Sequence, residues 1–237
     1  MACILHIETS TTLCSVAVSE DSQVIYHEER GKDVEGKRYS GSASEHIGSM
    51  VADALSFADS HAIPVDAVAV SQGPGSYTGL RIGVSMAKGL CYGRGLKLIA
   101  VPTLELIAVP VLLRDPDMDP ATLICPMIDA RRMEVYAAVY DRALKPLRDV
   151  QADVVTTDTY SEWLERGPVI FCGDGAAKCK EVITHPNARF IDGIVPEARY
   201  MQPLAERRLL TDRTEDVAYF TPFYLKDFVA KQSKPLL

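Results

Sequence analysis

Apolar and polar positions alternate in short blocks at the start of the chain. Apolar runs at residues 3–7, 13–18 and 24–27 are separated by polar turns of a few residues. Runs of this length with turns between them are typical of the strands of an antiparallel meander. The sequence therefore predicts three consecutive strands, followed by a polar loop at 31–41.

The next segment has the pattern of a helix. Ser42 and Glu45 show the S-x-x-E spacing of a capping box. Apolar residues then recur every three or four positions, at Ile47, Met50, Val51, Ala54, Leu55 and Ala58. A stripe with this period predicts one amphipathic helix, which Pro64 closes.

Two strand–helix units complete the first half of the chain. The apolar runs at 67–70 and 98–101 do not alternate with polar residues, which suits buried parallel strands. Between them, a glycine-rich turn at 73–79 leads into a helix predicted at about 80–92. A third helix is predicted after the second strand of this pair.

Two residues are expected to shape that third helix. Thr103 is predicted to cap its N-terminus. Pro110 is expected to kink the helix or to end it early, because proline lacks a backbone donor and crowds the preceding turn. The predicted order of elements in the first half is therefore β-β-β-α-β-α-β-α.

The second half of the chain begins like the first. Apolar runs at 123–128 and 134–140 predict two strands around a polar turn. Ile128-Asp129 then aligns with Ile7-Glu8 at an offset of 121 residues, so each half has a carboxylate at the end of its first strand. A repeat of this length indicates a duplicated domain.

The remaining segments predict a linker and four later elements. Residues 115–120, with two prolines and three aspartates, are the predicted linker, which gives an N-terminal domain at 1–114 and a C-terminal domain at 115–237. The later elements are a helix near 160–166, a strand at 169–172, a glycine turn at 173–175 and a helix near 197–210.

Composition and charge exclude several classes of protein. The 237 residues are 47% hydrophobic and 24% charged, which supports a folded core. A net charge of −7 argues against a nucleic-acid binder that acts alone, because phosphates are neutralised by a basic face. Residues 1–18 contain no Lys or Arg, and the apolar stretch at 104–113 is too short for a bilayer. We therefore expect a cytoplasmic protein whose six dispersed cysteines lie in the core.

The glycine-rich turn has two interpretations. Its glycines follow a G-x-G-x-x-x-G-x-x-x-G spacing, which is neither the dinucleotide fingerprint nor a phosphate loop. A helix N-terminus with donors from Ser76, Thr78 and Arg81 could bind a phosphate. Alternatively, Gly79 and Gly83 only allow the turn and the helix to pack closely against a neighbouring segment.

The two strand-end acids also have two interpretations. Paired carboxylates at Glu8 and Asp129 could hold Mg²⁺ or act as a general base, with Thr9, Ser10 and Thr11 as phosphate donors. Alternatively, each acid accepts a hydrogen bond from the backbone of its own turn.

The helix predicted at 80–92 carries only two charges, Arg81 and Lys88, and is otherwise apolar or small. Such a helix is buried on more than one face. It is either central within its domain, or its outer face meets another subunit. The first helix also has a small and weakly charged outer face, at Gly48, Ser49, Ala52 and Ser56.

Several segments resemble the TsaB (YeaZ) family. Residues 67–83 give the most specific match and read AVAVSQGPGSYTGLRIG. Residues 4–10 (ILHIETS) and 128–136 (IDARRMEVY) also match, and residues 222–226 (PFYLK) resemble the family's terminal P-x-Y-L-R. The family usually has Asp where this chain has Glu8, whose longer side chain puts metal or nucleotide coordination there in doubt.

The resemblance implies an α/β protein of the actin-like ATPase fold, with two ribonuclease H-like halves that each hold a mixed sheet flanked by helices. It implies a role in making threonylcarbamoyladenosine at position 37 of ANN-decoding tRNAs. The chain would be a non-catalytic partner that pairs with a TsaD-like catalytic subunit, which a TsaE-like ATPase joins. In isolation it would form a homodimer through the same surface. It would contact tRNA only indirectly and no membrane.

The resemblance and the residue patterns give two sets of expected site residues. A nucleotide or phosphate set lies at one corner of the fold: Glu8, Thr9, Ser10, Thr11, Gly73, Pro74, Gly75, Ser76, Thr78, Gly79 and Arg81. A partner-interface set lies on the first two helices: His46, Met50, Asp53, Phe57, Ile82, Met86, Leu90 and Gly93. No cofactor is expected to be required, although ATP or ADP with Mg²⁺ could bind at the partner interface. No catalytic or metal-binding residue is predicted.

Two enzymatic alternatives remain at this point. One is a small-molecule kinase of the same fold, similar to type III pantothenate kinases, although Glu8 to Thr11 lack the Asp and the glycine of such a phosphate turn. The other is a glycoprotease-like metallopeptidase, which the absence of an H-x-x-x-H spacing makes the weaker alternative.

Overall fold

The structure is a computed structural model that describes residues 2–31 and 43–226. The side chains of residues 43–45 are also outside the description. The predicted capping box of Ser42 and Glu45 and most of the predicted loop at 31–41 therefore lie outside the described residues.

The first half forms a five-stranded mixed sheet with helices on both faces. Its strands run in the order β3-β2-β1-β4-β5, with β1–β3 antiparallel and β1, β4 and β5 parallel. The elements are β1 (Cys3–Glu8), β2 (Cys14–Glu20), β3 (Gln23–Arg30), α1 (Ala43–Ser60), β4 (Ala67–Gly73), α2 (Tyr77–Arg94), β5 (Lys97–Pro102) and α3 (Thr103–Arg114).

The second half forms a second five-stranded mixed sheet with the same topology. Its order is β8-β7-β6-β9-β10, in which β6–β8 are antiparallel and β6, β9 and β10 are parallel. The elements are β6 (Leu123–Asp129), β7 (Glu134–Tyr140), β8 (Pro146–Val154), α4 (Ser161–Leu164), β9 (Val169–Cys172), β10 (Ala188–Ile191) and α5 (Gln202–Leu210).

The two sheets confirm the predicted duplication. Glu8 ends β1 and Asp129 ends β6, and these two strands occupy the same central position in their sheets. Gly73 at the end of β4 and Gly173 after β9 are equivalent in the same way, and both have a positive φ. The prediction of two ribonuclease H-like halves with mixed sheets is therefore confirmed.

Apolar side chains pack on both faces of the first sheet. One face holds the predicted stripe of α1 together with Val84, Ala87 and Cys91 of α2. The other face packs against Leu106 and Val109 of α3 and against residues 201–205. Because the sheet is covered on both sides, β1 is buried along its whole length.

Helix α3 lies between the two sheets. Leu106 and Val109 contact the first sheet, whereas Leu104 and Ile107 belong to the core of the second. Pro110 lies inside this helix, which continues to Arg114, so the expected early end is wrong. Burial between two apolar faces stabilises the last turn despite the hydrogen bond that proline cannot make.

Several other sequence predictions differ from the structure. Thr103 is the first residue of α3 and makes no capping hydrogen bond, because Pro102 occupies the N-cap position. The helix predicted near 160–166 is the single turn α4, and the one near 197–210 is a 3₁₀ turn at 198–201 followed by α5.

Residues 198–210 return to the first half and pack on its sheet. The division at residue 114 stays a prediction.

The six cysteines are all buried and free, as expected for core residues. Within residues 2–31 and 43–226, no helix has both the length and the apolar content of a membrane span.

Candidate functional site

The turn after β1 packs directly against the start of α2. Thr9 is buried, and its Oγ1 donates to the Gly79 carbonyl at 2.8 Å. A Cβ added at Gly79 would lie 2.0 Å from the Thr9 carbonyl oxygen, and one at Gly83 would lie 2.2 Å from Thr9 Oγ1. These glycines therefore permit a contact that no other residue allows.

The glycine-rich turn itself is held by Ser10. The Ser76 amide donates to the Ser10 carbonyl at 2.7 Å. A Cβ at Gly75 would lie 2.4 Å from that carbonyl oxygen. The hydroxyl of Ser76 then caps α2 by accepting a hydrogen bond from the Gly79 amide at 3.3 Å. Much of the polar backbone at this corner is thus used by the chain itself.

This geometry supports the packing interpretation for Gly75, Gly79 and Gly83. Nucleotide binding at the corner stays a prediction. Within the predicted set, Ser76, Thr78 and Arg81 are exposed, whereas Gly73 and Pro74 are buried and Thr11 is half-buried. Any phosphate at this corner would meet the exposed donors and not the interior of the turn.

Glu8 is completely buried at the end of β1. Its Oε1 accepts a hydrogen bond from the Ser10 amide at 2.5 Å. Burial raises the pKa of Glu8 to about 7, although hydrogen bonds from Ser10 oppose the shift. A Mg²⁺ ion keeps several waters and needs open carboxylate oxygens, so Glu8 in this arrangement does not fit a magnesium ligand.

Asp129 makes the equivalent contact in the second half. Its Oδ1 accepts from the Arg131 amide at 2.8 Å and also pairs with Lys178. Partial burial alone would raise the pKa of Asp129. The hydrogen bonds from Lys178 and Arg131 outweigh burial and hold this pKa below its ordinary value. Both strand-end acids therefore bind the backbone of their own turns, as the second interpretation states.

A cavity of about 380 Å³ lies between the two halves, near the end of β4. Gly73 is the member of the predicted nucleotide set that lines it. The other lining residues come from both sheets, from α3 and from the C-terminal segment, and include Gln72, Glu105, Tyr140, Arg148 and Phe223. The predicted nucleotide set and this cavity are therefore largely separate.

The predicted partner-interface residues fall into three groups on α1 and α2. Asp53 and Gly93 are exposed. The half-buried residues are His46, Phe57, Ile82, Met86 and Leu90. Met50 is completely buried in the core of the first half, so its assignment to the partner interface is wrong.

The exposed side of these two helices includes a line of small residues. A line at Ser85, Gly89 and Gly93 on α2 is exposed, and a Cβ added at either glycine would meet open space. Tyr92, next to this line, is 87% exposed. A Cβ at Gly48 on α1 would lie 4.0 Å from Met86 Cε, so the two helices form one continuous surface. We call the exposed side of 46–60 and 81–94 the helical face.

Sequence reasoning missed the path of the C-terminal segment. Lys88 on α2 donates to the carbonyls of Ala218 and Phe220, at 3.1 and 2.8 Å. The Phe223 amide donates to the Gln72 carbonyl at 2.7 Å. These bonds hold the segment against α2 and the end of β4. The PFYLK motif at 222–226 was the sign in the sequence that this segment matters, but the sequence alone could not show what it contacts.

Comparisons with known proteins agree with this architecture. The family model described as TsaD: tRNA N6-adenosine threonylcarbamoyltransferase matches residues 17–234. The tRNA threonylcarbamoyladenosine biosynthesis protein TsaB of Escherichia coli (strain K12) is 30% identical and covers 98% of both chains. The protein of the same name from Haemophilus influenzae is 27% identical over 98% of this chain and 97% of its own. YeaZ from Pseudomonas aeruginosa superimposes with a TM-score of 0.73 at 22% identity, over 95% of this chain and all of that one.

Two halves with one topology and a helix packed between them define an α/β protein of the actin-like ATPase fold. The match to the Escherichia coli protein, over 98% of both chains, then identifies the family within that class. The chain belongs to the TsaB family. This confirms the predicted family and the predicted involvement in tRNA threonylcarbamoyladenosine biosynthesis.

Proposed function

We propose that this chain is a non-catalytic partner subunit that pairs with and supports a TsaD-type catalytic subunit. The observation that carries the proposal is the helical face. Its line of small residues at Ser85, Gly89 and Gly93 lets a second helix approach closely. Tyr92, at 87% exposed, supplies a large aromatic side chain of the kind that is enriched in protein interfaces.

Charges of both signs surround this face. Asp53 and Asp59 are exposed on α1, and Arg81 and Arg94 are exposed on α2. Rim charges add little to affinity, but they set the orientation of a partner and reject wrong ones. A TsaD-type surface with complementary charges would therefore dock in one register.

The proposal has four further parts. In isolation the chain pairs with a second copy through the same face, and a TsaE-like ATPase joins the complex with the TsaD-type subunit. The net charge of −7 supports only indirect contact with tRNA. We also propose a cytoplasmic location, because the tRNA that this family serves is in the cytoplasm. The kinase alternative is disfavoured because Glu8 is buried and bonded to its own turn.

Nucleotide binding is a separate part of the proposal. ATP or ADP with Mg²⁺ would bind beside the helical face, with Ser76, Thr78 and Arg81 as donors to the phosphates and Glu8 taking no part. Calorimetry with Mg²⁺-ATP, on the chain and on its complex, tests this. Arg81→Gln should weaken binding at least tenfold if the phosphates lie there.

Light scattering after size exclusion tests the pairing. The chain is measured alone and mixed with the TsaD-type subunit of the same organism. We expect a one-to-one complex for the unaltered chain and none for Ser85→Arg or Gly89→Arg. Both changes add a long side chain to an exposed position of the face, so the fold tolerates them but a partner helix does not.

A matched control separates the effect of substituting the helical face from the effect of adding a positive charge anywhere on the surface. Thr157 is an exposed residue of the second half, and Thr157→Arg adds the same charge as Ser85→Arg. This variant should form the complex like the unaltered chain. Absence of any complex with the unaltered chain, or equal complex formation by all variants, would overturn the proposal.

A further inference from the structure

A histidine and two glutamates converge on the outer side of the first sheet, away from the helical face and the glycine-rich turn. His27 and Glu29 are alternate residues of β3 and therefore point to the same side of the sheet. Glu197 precedes the 3₁₀ turn that packs on this side. His27 Nε2 lies 4.0 Å from Glu29 Oε2 and 3.9 Å from Glu197 Oε2. One potential ligand atom from each residue lies within 4.8 Å of the other two.

The fold fixes this cluster through Ser15 on β2. Ser15 is buried and is the partner of Glu29 in the β2–β3 register. Its hydroxyl also accepts a hydrogen bond from the Ala198 amide at 2.8 Å, next to Glu197. The same residue thus positions the strand and the turn that supply the three side chains. A rigid set of ligands costs little conformational entropy when an ion binds.

The cluster presents lone pairs that face one another. His27 Nε2 is enclosed and accepts no hydrogen bond from the residues that the structure describes. Glu197 is only 8% exposed. Arg199 Nε forms an ion pair with Glu197 Oε2 at 2.7 Å, which supplies one positive charge against two carboxylates. Burial and the nearby Arg199 lower the pKa of His27, so its ring is neutral near pH 7.

We propose that His27, Glu29 and Glu197 bind one divalent transition-metal ion of the Zn²⁺ type. One imidazole nitrogen and two carboxylate oxygens are a ligand set that such ions prefer, and water would fill the remaining position. Tetrahedral binding places ligand atoms about 3.4 Å apart, so each glutamate oxygen and His27 Nε2 must come about half an ångström closer together. Glu29, being half-exposed, gives the ion a path from solvent.

The test is calorimetric titration of the tag-free full chain with Zn²⁺ alone. We expect one equivalent to bind, with at least tenfold weaker binding in His27→Gln and in Glu197→Gln. Arg199→Gln should bind more tightly, because it removes the positive charge beside the ion. His61→Gln changes an exposed histidine directly after α1 and should bind like the unaltered chain. The cysteines are all buried and do not compete for the ion.

A second measurement does not depend on any variant. Nitrogen-15 spectra of the histidine rings report which imidazole coordinates zinc. The His27 Nε2 resonance should shift on zinc addition in the unaltered chain, and the His61 resonances should not. Zinc that binds with the same affinity to His27→Gln, or that leaves the His27 ring unchanged at saturation, would overturn the site. So would the absence of binding at 0.1 mM zinc, a concentration set at about a hundred times a micromolar Kd.

Discussion

Glu8 and Asp129 make the same hydrogen bond in the two halves of the molecule. Glu8 Oε1 accepts from the amide two residues later at 2.5 Å, and Asp129 Oδ1 does so at 2.8 Å. Their surroundings differ, because Glu8 is fully buried while Asp129 is half-exposed and paired with Lys178. Their pKa values therefore move in opposite directions, up for Glu8 and down for Asp129.

Glu8 should make stability depend on pH. Its folded-state pKa of about 7 lies above the ordinary value of 4.5, so the folded protein holds a proton that the unfolded chain has lost. The contribution of Glu8 to the free energy of unfolding is therefore fully present below pH 4.5 and is lost as the pH rises to about 7. Glu8→Gln should remove this fall, which we expect to be about 3 kcal/mol. Urea denaturation between pH 4.5 and 8 measures it.

Glutamine suits this test because it keeps the oxygen that accepts from Ser10. Asp129 is the control position, since its lowered pKa predicts stability that is present above its usual titration range and lost only in acid. The Asp129→Asn variant should keep the fall between pH 4.5 and 7. Equal pH profiles for the unaltered chain and Glu8→Gln would show that folding does not raise the pKa of Glu8.

Gly79 and Gly89 offer a matched pair within one helix. A Cβ at Gly79 would lie 2.0 Å from the Thr9 carbonyl oxygen, whereas a Cβ at Gly89 would meet open space. Gly79→Ala should therefore lower the free energy of unfolding by about 2 kcal/mol or more, because the clash is with backbone. Gly89→Ala should raise it by about 0.5–1 kcal/mol through helix propensity. If both variants have the same urea midpoint, the close-packing interpretation of the corner fails.

Periodicity predicted the first half well, because its buried elements leave strong patterns. The stripe of α1 and the apolar runs of β1, β4 and β5 all lie where the sequence places them. Strand β8 escaped prediction because it is mostly exposed and includes Leu147 and Val154 on the surface, which weakens its alternation. The packing of α5 against the first sheet could not be predicted, since a pattern shows that a face is buried but not what covers it.

The candidate site shows the same limit. The sequence located the strand-end acids and the glycine-rich turn. It offered backbone hydrogen bonds as one interpretation of the acids and close packing as one interpretation of the turn, and the geometry supports both. It could not join His27 to Glu197, which are distant in the chain and lie 3.9 Å apart only once the chain has folded. It also placed Met50 both in the core stripe of α1 and on the partner interface, although one helical position cannot face both ways.

Met50 and Ser49 therefore give a direct test of which side of α1 is buried. Met50→Glu puts a charge into the core and should prevent stable folding, and Met50→Ala should cost about 2–5 kcal/mol. Ser49→Glu makes the same substitution at the exposed neighbour and should change stability by only about 0.5 kcal/mol. Far-UV circular dichroism during urea denaturation distinguishes them. A folded Met50→Glu variant that only loses its partner would restore the original interface assignment.

Lys88 should hold the C-terminal segment in place. Its ammonium group donates to two carbonyls of that segment, at 3.1 and 2.8 Å, and Lys88→Met keeps the length of the side chain but removes both donors. Hydrogen exchange at residues 216–224 should then become at least tenfold faster, since hydrogen bonds to a charged group contribute about 1.5–3 kcal/mol. Lys180→Met breaks an exposed ion pair with Asp192 in the second half and should leave this exchange unchanged. Equal protection in both variants would mean that the Phe223–Gln72 bond and the packing of Phe223 at the Gly73 turn suffice to fix the segment.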